Sequence, residues 1–483
     1  MCGSALRTLS TAFFMDIKSN MLSEFATNPL IPFALKIWAS LPFFGKVFVA
    51  FILLLLLVAA IGAVMAEING PVTERHLTGV RLVSWKQLAK KTVYKDKTRR
   101  HLQIMLGQVP WPSELENRHA LINGTSGAGK STIIRQILPR IRARGERAIV
   151  IDLNGDFAQK FLASGDRIFN PLDPTSVKWN PLAEIREAKD IDPLLRAMIP
   201  TGSTPEDENW RGFARDILKA LMRRLHEEGE LRMDRLKHYA VAAGDKEIAA
   251  FLQGGASPTR LQENSMVSNS KSELKHFVEA LDCASPEPNF SIADWVRKGT
   301  GFIFITPKDK DLQALMPLLN TFMNMAIKSA LSPATGKKNK PIALVVDELS
   351  SFDFDDFKGV LEKGRKFGLV AYAGIQSVSQ LREKYGVEGA QALMACFSTK
   401  VIFNPGDSAT ADEMANEIGE HVVERLEISH SGTAKSGSTV TKSWRRCKPE
   451  NLILSTNLRK LPPLHAYLKF AGDYDVAKIT IRH

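Results

Sequence analysis

The chain has 483 residues, which favours two domains or one domain with a large insertion. Charged residues make up 24% and hydrophobic residues 44%, a composition that excludes a disordered or fibrous protein. The net charge of +12 indicates a polyanionic partner, which could be nucleic acid, anionic lipid or both. The four cysteines lie far apart without a CxxC pair, which excludes a disulfide scaffold and a structural zinc site and fits a reducing compartment.

A long apolar run covers residues 47–66 and contains no charged residue. A helix of about 20 residues spans about 30 Å, the hydrocarbon thickness of a bilayer. A buried core helix is the weaker alternative, because few soluble helices of this length lack a polar face. A cleaved signal peptide is also disfavoured, because 46 residues precede the run. The run therefore predicts an N-terminal transmembrane helix at 47–66.

A second apolar segment, Leu30–Gly45, is shorter and contains Pro32, Lys36 and Pro42. It is compatible with a distorted first span, a re-entrant piece or an interfacial helix, and these three alternatives stay open. Together with the run that follows it, this segment predicts a membrane anchor over residues 1–70.

A strongly basic stretch comes next, with nine Lys or Arg between residues 75 and 100 against one acid, Asp96. The positive-inside rule predicts that this flank stays in the cytoplasm, so everything after about residue 70 has access to ATP. The same cations could bind anionic headgroups or a nucleic-acid backbone, and these roles are compatible with one another. The basic residues are Arg75, Arg81, Lys86, Lys90, Lys91, Lys95, Lys97, Arg99 and Arg100.

The strongest motif follows a short apolar segment, His119–Asn123, which predicts a buried strand. Residues 124–131 read GTSGAGKS and match the pattern GxxxxGK[ST]. Glycines at these positions let successive main-chain N–H groups turn inward and form an anion-binding nest. A helix with an apolar stripe and a second strand at 148–152 complete a βαβ unit, and the helix N-terminus favours phosphate. The predicted nucleotide contacts are Gly124, Thr125, Ser126, Gly127, Ala128, Gly129, Lys130, Ser131 and Thr132.

Two residues of this loop have distinct expected roles. Lys130 is expected to reach the β- and γ-phosphates of ATP, and the Ser131 hydroxyl to ligate Mg²⁺. Chance matches to the bare pattern are rare, and the surrounding strands and helix make coincidence rarer still. The motif therefore predicts a P-loop that binds ATP and Mg²⁺.

A second apolar strand, Pro341–Val346, ends in two acids, Asp347 and Glu348. Asp347 is expected to hold Mg²⁺ through its water shell, and Glu348 to polarise the attacking water. An apolar strand that ends in acids is common by itself, but it becomes strong evidence when a P-loop is present. Because binding without hydrolysis does not need Glu348, the pair favours an ATPase over a passive nucleotide sensor or a non-hydrolysing structural anchor.

Two later residues are candidates to complete the site. Arg365 follows an amphipathic stretch and could stabilise transition-state charge in a neighbouring subunit, although its spacing alone favours a solvated helix end. Gln376 follows a predicted strand at 370–375 and could sense the γ-phosphate or orient water. For Gln376 the spacing leaves a functional and a purely structural role equally open.

More than two hundred residues separate the loop from the acid-bearing strand, which predicts an insertion. Residues 183–289 are rich in helix formers and carry 15 Lys or Arg against 19 Asp or Glu, so they lack a general basic excess. We predict an α/β fold with its nucleotide-binding domain in two parts, 71–182 and 290–483, and an inserted all-α domain at 183–289. Within the second part, 429–442 is predicted to be a mobile surface loop and 464–481 to contain closing strands.

The chain resembles the coupling proteins of conjugative type IV secretion systems, the TraD and TrwB group within the FtsK/HerA-like DNA-pumping ATPases. The resemblance covers most of residues 72–483 and is specific only when its segments are taken together. The segments are NGTSGAGKS at 123–131, FNPLD at 169–173, LVVDE at 344–348, GRKFG at 364–368 and GIQS at 374–377.

This resemblance implies a RecA-like P-loop domain with an inserted all-α domain, anchored in the bacterial inner membrane with its main body in the cytoplasm. It implies a homohexameric ring with ATP sites between subunits, in which Arg365 matches the family's arginine finger and Gln376 its glutamine. The implied activity is that of a DNA-dependent ATPase and DNA-translocating motor. It would link a relaxase–DNA complex to components of the secretion channel and drive single-stranded DNA out of the cell.

The sequence departs from the family in two respects. The family usually has two membrane helices, whereas only one is clear here, and the long acidic C-terminal tail of some members is not found. Two other functions stay open: a receptor for secreted protein effectors, and an intracellular pump for double-stranded DNA. The lack of a separate winged-helix module after the P-loop domain disfavours the pump.

Overall fold

The computed structural model describes residues 74–482, apart from 154, 200, 203, 253–273, 276, 277, 279, 333–340, 353, 355, 356 and 432–438. These residues form two compact units. One contains residues 74–75 and 424–446, and the other contains residues 76–423 and 447–482. The predicted membrane anchor at 1–70, with its transmembrane helix at 47–66, lies outside the described residues. No helix within them combines the length and the hydropathy that crossing a bilayer requires.

The strands are β1 (Glu74–Gly79), β2 (Leu82–Val83), β3 (Met105–Leu106), β4 (Val109–Pro110), β5 (His119–Asn123), β6 (Arg147–Ile151), β7 (Arg167–Phe169), β8 (Phe302–Ile305), β9 (Ile342–Val346), β10 (Leu369–Ile375), β11 (Phe397–Ile402), β12 (Glu420–Ser431), β13 (Thr439–Arg446), β14 (Glu450–Asn451), β15 (His465–Phe470) and β16 (Val476–Thr480).

The α-helices are α1 (Trp85–Thr92), α2 (Lys130–Ala143), α3 (Asp156–Phe161), α4 (Ile191–Met198), α5 (Pro205–Glu227), α6 (Met233–Lys237), α7 (Asp245–Leu252), α8 (Ile292–Lys298), α9 (Asp309–Ala330), α10 (Phe357–Phe367), α11 (Val378–Ala395), α12 (Ser408–Ile418) and α13 (Ser455–Arg459). Short 3₁₀ turns lie at Lys97–Leu102, Pro181–Glu184, Ala188–Asp190, Ala280–Cys283 and Leu349–Ser351.

The larger unit is organised around a sheet in the order β2–β16–β15–β11–β5–β10–β9–β6–β8–β7. Its central strands, β11, β5, β10, β9, β6 and β8, pair in parallel with their neighbours in this run. Strand β10 lies between β5 and β9, with Ile375 beside Asn123 and Ala373 beside Val346. The segments that follow β5, β10 and β9 therefore meet at one edge of the sheet, where open α/β sheets bind their ligands.

Successive side chains of the central strands point alternately into two separate hydrophobic cores, one on each face of the sheet. Leu344 and Ile149 point into one core, and Val345 and Val150 point into the other. The second core is completed by the apolar stripe of α2, which carries Ile133, Ile134, Ile137, Leu138 and Ile141. Burial on both faces explains why β8, β9 and β10 are almost continuous apolar runs in the sequence.

The described residues between β7 and β8 form helices and turns without a strand. Helices α4, α5 and α8 contribute to the first core, where Leu194, Leu218 and Trp295 are buried. Helix α9 then follows β8, and Phe322 on it stacks on Phe169 at the end of β7, with ring centroids 4.0 Å apart. The helical segment is therefore packed onto the sheet through a shared apolar core.

Most of the strands predicted from the sequence are confirmed. Strands β5, β6, β9 and β10 agree with their predicted positions to within one residue at each end. The closing strands predicted within 464–481 are confirmed as β15 and β16. The mobile loop predicted at 429–442 is wrong at both ends, because β12 continues to Ser431 and β13 begins at Thr439. Cross-strand pairing in this hairpin overrides the turn-like Ser, Thr and Gly composition.

Candidate nucleotide-binding site

The candidate loop begins directly after β5 and ends in the first turn of α2. Gly129 is the N-cap of α2 and has a φ of 128°, a conformation that favours glycine. A Cβ on Gly129 would lie 2.7 Å from the Phe403 ring, so a larger residue would also clash. The sequence pattern therefore reflects both the backbone conformation and the close packing under the loop.

Neighbouring segments hold the loop through main-chain hydrogen bonds. The Thr125 N–H donates to the Asn404 carbonyl at 2.9 Å, and the Leu464 N–H donates to the Ala128 carbonyl at 2.8 Å. Leu464 has a φ of 64° and is the non-glycine residue of the described chain with a positive φ. Strained conformations of this kind persist where the surrounding structure requires them, and they cluster at functional sites.

Lys130 lies beneath the loop with a relative exposure of 7%. Its Nζ donates a hydrogen bond to the Gly124 carbonyl at 2.7 Å. Burial lowers the pKa of Lys130, while the charges of Glu348 and Asp347 act in the opposite direction. The position provides a cation that can turn from a main-chain oxygen to a phosphate oxygen.

Ser131 and Asp347 face each other across the two strand ends. The Ser131 Oγ donates to the Asp347 Oδ1 at 3.2 Å. Burial raises the pKa of Asp347, whereas Lys130 and the hydrogen bond from Ser131 oppose that rise. A hydroxyl and a carboxylate in this arrangement are oxygen ligands of the kind that Mg²⁺ takes in phosphate-binding sites.

Glu348 follows Asp347 and is partly buried. Its Oε1 accepts a hydrogen bond from Ser350 Oγ at 2.8 Å. Its Oε2 is buried without a hydrogen-bond partner in the described part of the chain. Burial raises the pKa of Glu348, and Ser350, Lys130 and the Gln376 side chain act to lower it. An unpartnered carboxylate oxygen beside a phosphate-binding loop can accept a hydrogen bond from water.

Gln376 follows the last residue of β10 and is exposed between the loop and the two acids. The Asn123 side chain donates to its carbonyl at 3.4 Å. Strand β10 passes close to β9 here, since a Cβ on Gly374 would lie 2.0 Å from the Asp347 carbonyl oxygen. The structure therefore brings Gln376 together with Lys130, Ser131, Asp347 and Glu348.

Arg365 is not brought to this edge of the sheet. It is exposed in the last turn of α10, just before the first residue of β10. Strand β10 has seven residues, which is about 20 Å at roughly 3.3 Å per residue. Arg365 therefore lies at the opposite end of the strands from the loop of its own chain.

Asp152 is a further acid at the same edge, and it was not among the residues predicted from the sequence to form the site. It follows β6, which pairs with β9 so that Ile151 lies beside Val346. Its Oδ2 accepts hydrogen bonds from the N–H groups of Phe157 and Ala158, both at 2.8 Å. Burial raises the pKa of Asp152 to about 6, those two donors lower it, and the charges of Asp156 and Asp347 raise it further. Its sequence signal, an apolar strand ending in an acid, is the same one that identified Asp347.

The residues present fit a nucleotide and a divalent cation. The loop offers turned N–H groups and a buried cation, and the adjacent strand end offers a carboxylate next to a hydroxyl. Fold and site together define a P-loop nucleotide-binding protein with a RecA-like α/β core.

The chain belongs to a family of type IV secretion coupling proteins. The sequence model of that family, described as the type IV secretion-system coupling protein DNA-binding domain, matches residues 103–482. This match confirms the resemblance found in the sequence, and it includes the phosphate loop, the acid-bearing strand β9 and the helical segment between them.

Known proteins similar to this chain agree with that assignment. Coupling protein TraD of Escherichia coli (strain K12) is 26% identical over 397 residues, which are 79% of this chain and 54% of TraD. The chain thus spans about half the length of this curated relative. The plasmid coupling protein TrwB in complex with ADP and Mg²⁺ is 31% identical, with a TM-score of 0.75, and the match covers 86% of this chain and 95% of TrwB.

A second complex of TrwB, with the non-hydrolysable ATP analogue ADPNP, matches with a TM-score of 0.74 and 31% identity over 86% of this chain and 95% of TrwB. The similarity confirms the mixed α/β fold, RecA-like with an all-α domain. The two nucleotide complexes support the prediction that ATP and Mg²⁺ are the ligands of this chain.

Proposed function

We propose that this protein is a membrane-anchored, DNA-dependent ATPase of bacterial conjugation. It connects a relaxase–DNA complex to the channel of a type IV secretion system and drives the export of single-stranded DNA. The observation that carries this proposal is the meeting of Lys130, Ser131, Asp347 and Glu348 at one sheet edge, in a chain of the coupling-protein family.

The chemistry of the site follows from its residues. The loop N–H groups and Lys130 bind the β- and γ-phosphates, and Ser131 and Asp347 hold Mg²⁺. Bound Mg²⁺ neutralises phosphate charge and helps to orient the terminal phosphate. Glu348, with its free Oε2, accepts a hydrogen bond from water and orients it for attack, and Gln376 lies beside this carboxylate to sense the terminal phosphate.

Arg365 acts on the ATP site of a neighbouring subunit. About 20 Å of strand separates it from the loop of its own chain, so it cannot complete that site itself. A cation at one end of the sheet and an ATP site at the other suit a head-to-tail ring, in which each subunit completes the next site. A homohexamer with sites between subunits is the assembly that we propose.

The proposed domain organisation places cargo contact away from the ATP site. Residues 71–182 and 290–483 form the nucleotide-binding domain, and residues 183–289 form an all-α domain that meets substrate. Residues 1–70 form the anchor in the inner membrane, with the span at 47–66 and the main body in the cytoplasm. The basic stretch from Arg75 to Arg100 supports this orientation.

A receptor for secreted protein effectors is the second candidate function. The charge of residues 183–289 favours it, because 15 Lys or Arg against 19 Asp or Glu do not make a general DNA-binding surface. In this case ATP hydrolysis would respond to a partner protein rather than to DNA.

The test is ATP hydrolysis by the full-length protein in detergent, with and without single-stranded DNA, over a range of protein concentrations. A ring-forming DNA motor predicts stimulation by DNA and a steep rise of specific activity with protein concentration. Hydrolysis that is indifferent to DNA at every concentration contradicts the motor and favours the effector receptor. Double-stranded DNA is the matched control, since preference for it would favour an intracellular DNA pump.

A further inference from the structure

The hairpin of β12 and β13 has two faces that differ in composition. In its register, Leu426 lies opposite Trp444, and Ile428 lies opposite Lys442. Directly opposed residues of an antiparallel pair share a face, and successive residues alternate between faces. One face, here called the apolar-basic face, therefore carries Glu424, Leu426, Ile428, Lys442, Trp444 and Arg446.

The opposite face of the hairpin is polar and electrically balanced. Arg425 pairs with Glu74 at 3.3 Å, and Arg445 pairs with Glu427 at 3.1 Å. Ser443 completes this face opposite Glu427. Such a face is well suited to solvent and needs no partner.

The apolar side chains of the other face are left without a core. In the part of the chain that the structure describes, Leu426, Ile428 and Trp444 belong to neither of the two buried cores. Ile428 is 50% exposed. Apolar side chains grouped on one sheet face and rimmed by charged groups are typical of an interaction surface, so a covering surface is expected.

Cations surround these apolar residues. The Arg75 guanidinium lies 4.1 Å from the centre of the Trp444 ring, which places it on the same face. With Lys442 and Arg446, the face has three cations against one anion, Glu424. It combines apolar groups, an indole ring and excess positive charge, which is the chemistry of an interface with anionic lipid.

The chain path limits how far this face can be from a bilayer. Arg75 follows the apolar run at 47–66 by nine residues, and nine residues span at most about 30 Å. Since Arg75 contacts Trp444, the hairpin is tied close to the proposed span. This step depends on the membrane anchoring in the proposed function.

We propose that the apolar-basic face lies on the cytoplasmic leaflet of the membrane. Ile428 and Trp444 enter the headgroup region, and Arg75, Lys442 and Arg446 bind the phosphates of anionic lipids. DNA is the weaker occupant, because a phosphate backbone offers nothing to Leu426 and Ile428.

The test is photo-crosslinking of the full-length protein in vesicles of phosphatidylglycerol and phosphatidylcholine. A diazirine analogue of leucine replaces Ile428 on the apolar-basic face, and in a matched variant it replaces Glu427 on the opposite face. Lipid adducts are expected to be several-fold more frequent at position 428. The double substitution Lys442→Glu and Arg446→Glu should reduce these adducts several-fold, and should leave them unchanged in vesicles of phosphatidylcholine alone.

The outcomes separate this inference from the anchoring on which it depends. If alkaline carbonate extracts the protein from the vesicles, the anchoring is wrong and the inference falls with it. If the protein resists extraction and adducts are equally frequent at 427 and 428, the inference alone is overturned. Adducts at 428 to added single-stranded DNA or to protein, in place of lipid, also overturn it. Equal thermal midpoints of all variants exclude misfolding as the cause.

Discussion

Ser131 Oγ lies 3.2 Å from Asp347 Oδ1, although 216 positions separate the two residues in the chain. The contact exists because β5 and β9 both end at the same edge of the sheet, on either side of β10. It joins the phosphate loop to the acid-bearing strand, and therefore links the two parts of the domain on either side of the helical segment.

Lys130→Ala is expected to abolish ATP hydrolysis. Loss of a buried charge that stabilises phosphoryl transfer lowers kcat by about 10² to 10³. Phosphate release by the full-length protein measures the effect, and resistance to carbonate extraction should be unchanged. Lys189→Ala is the control, because that side chain is 74% exposed and far from the loop in sequence. Turnover retained in the Lys130 variant would contradict the entire site assignment.

Glu348→Gln is expected to separate binding from hydrolysis. The amide keeps the shape and the oxygen that accepts from Ser350, but it cannot act as a base. The value of kcat should fall by about 10² to 10⁴, while the Kd for ATP changes little. Titration with a fluorescent ATP analogue measures the Kd. The Ser350→Ala variant removes the hydrogen bond that orients the Glu348 carboxylate, and it shows how far this orientation alone affects kcat. Normal turnover in the Glu348→Gln variant would mean that another residue activates the attacking water.

Arg365→Ala and Lys130→Ala, each inactive alone, are expected to recover activity when mixed. In a randomly mixed head-to-tail ring, about a quarter of the interfaces pair an intact loop with an intact arginine. Hydrolysis by the mixture, relative to each single variant, measures this recovery. Lys366→Ala, which changes the neighbouring exposed cation, is the control. Absence of recovery in rings shown to exchange subunits would refute a role for Arg365 across the interface.

Asp152→Asn is expected to stabilise the protein at neutral pH. Folding raises the pKa of Asp152 from 3.8 to about 6, so the folded state binds more protons than the unfolded state between these values. Above about pH 6 the ionised Asp152 therefore lowers the free energy of unfolding by its full amount, about 3 kcal/mol at most. This penalty disappears as the pH falls toward 4.

Thermal midpoints of Asp152→Asn and the parent protein, measured at pH 7.5 and pH 4, test this sign. The Asn Oδ1 can still accept from Phe157 and Ala158, so those hydrogen bonds are preserved. The variant should melt higher at pH 7.5 and at the same temperature as the parent at pH 4. A lower midpoint at pH 7.5 would mean that the charge is stabilised by its surroundings.

Leu464→Gly and Leu464→Pro are expected to have opposite consequences for the phosphate loop. Glycine keeps the N–H that bonds to Ala128 and adopts a φ of 64° without strain. The relief of backbone strain is worth about 1 kcal/mol and offsets part of the stability lost with the leucine side chain. Proline lacks the N–H and cannot adopt a positive φ. Nucleotide affinity, measured by titration with a fluorescent ATP analogue, should fall at least tenfold for proline, by about 1.4 kcal/mol, and little for glycine.

Local sequence patterns were sufficient for parts of the site that depend on neighbours in the chain. The strand before Gly124, the loop itself and the strand before Asp347 are each specified by an apolar run and a motif directly after it. Their meeting at one edge also follows, because parallel strands place their carboxyl ends together.

Other features depend on strand order and register, which no local pattern contains. Arg365 lies at the far end of the sheet only because β10 runs parallel to β5. Asp152 comes near Asp347 only because β6 pairs with β9. The sequence did not predict that β12 extends to Ser431 and that β13 begins at Thr439. These strands lie outside the buried cores, where composition carries little information about strand pairing.

The bond from Leu464 to Ala128 also sets an order of events during synthesis. The loop residues leave the ribosome early, but the strands on both sides of β5 and the residue that fastens the loop are made hundreds of residues later. A nascent chain therefore carries the phosphate loop long before it carries the residues that hold this loop in place. Until translation reaches the final strands, the nucleotide-binding site is therefore incomplete.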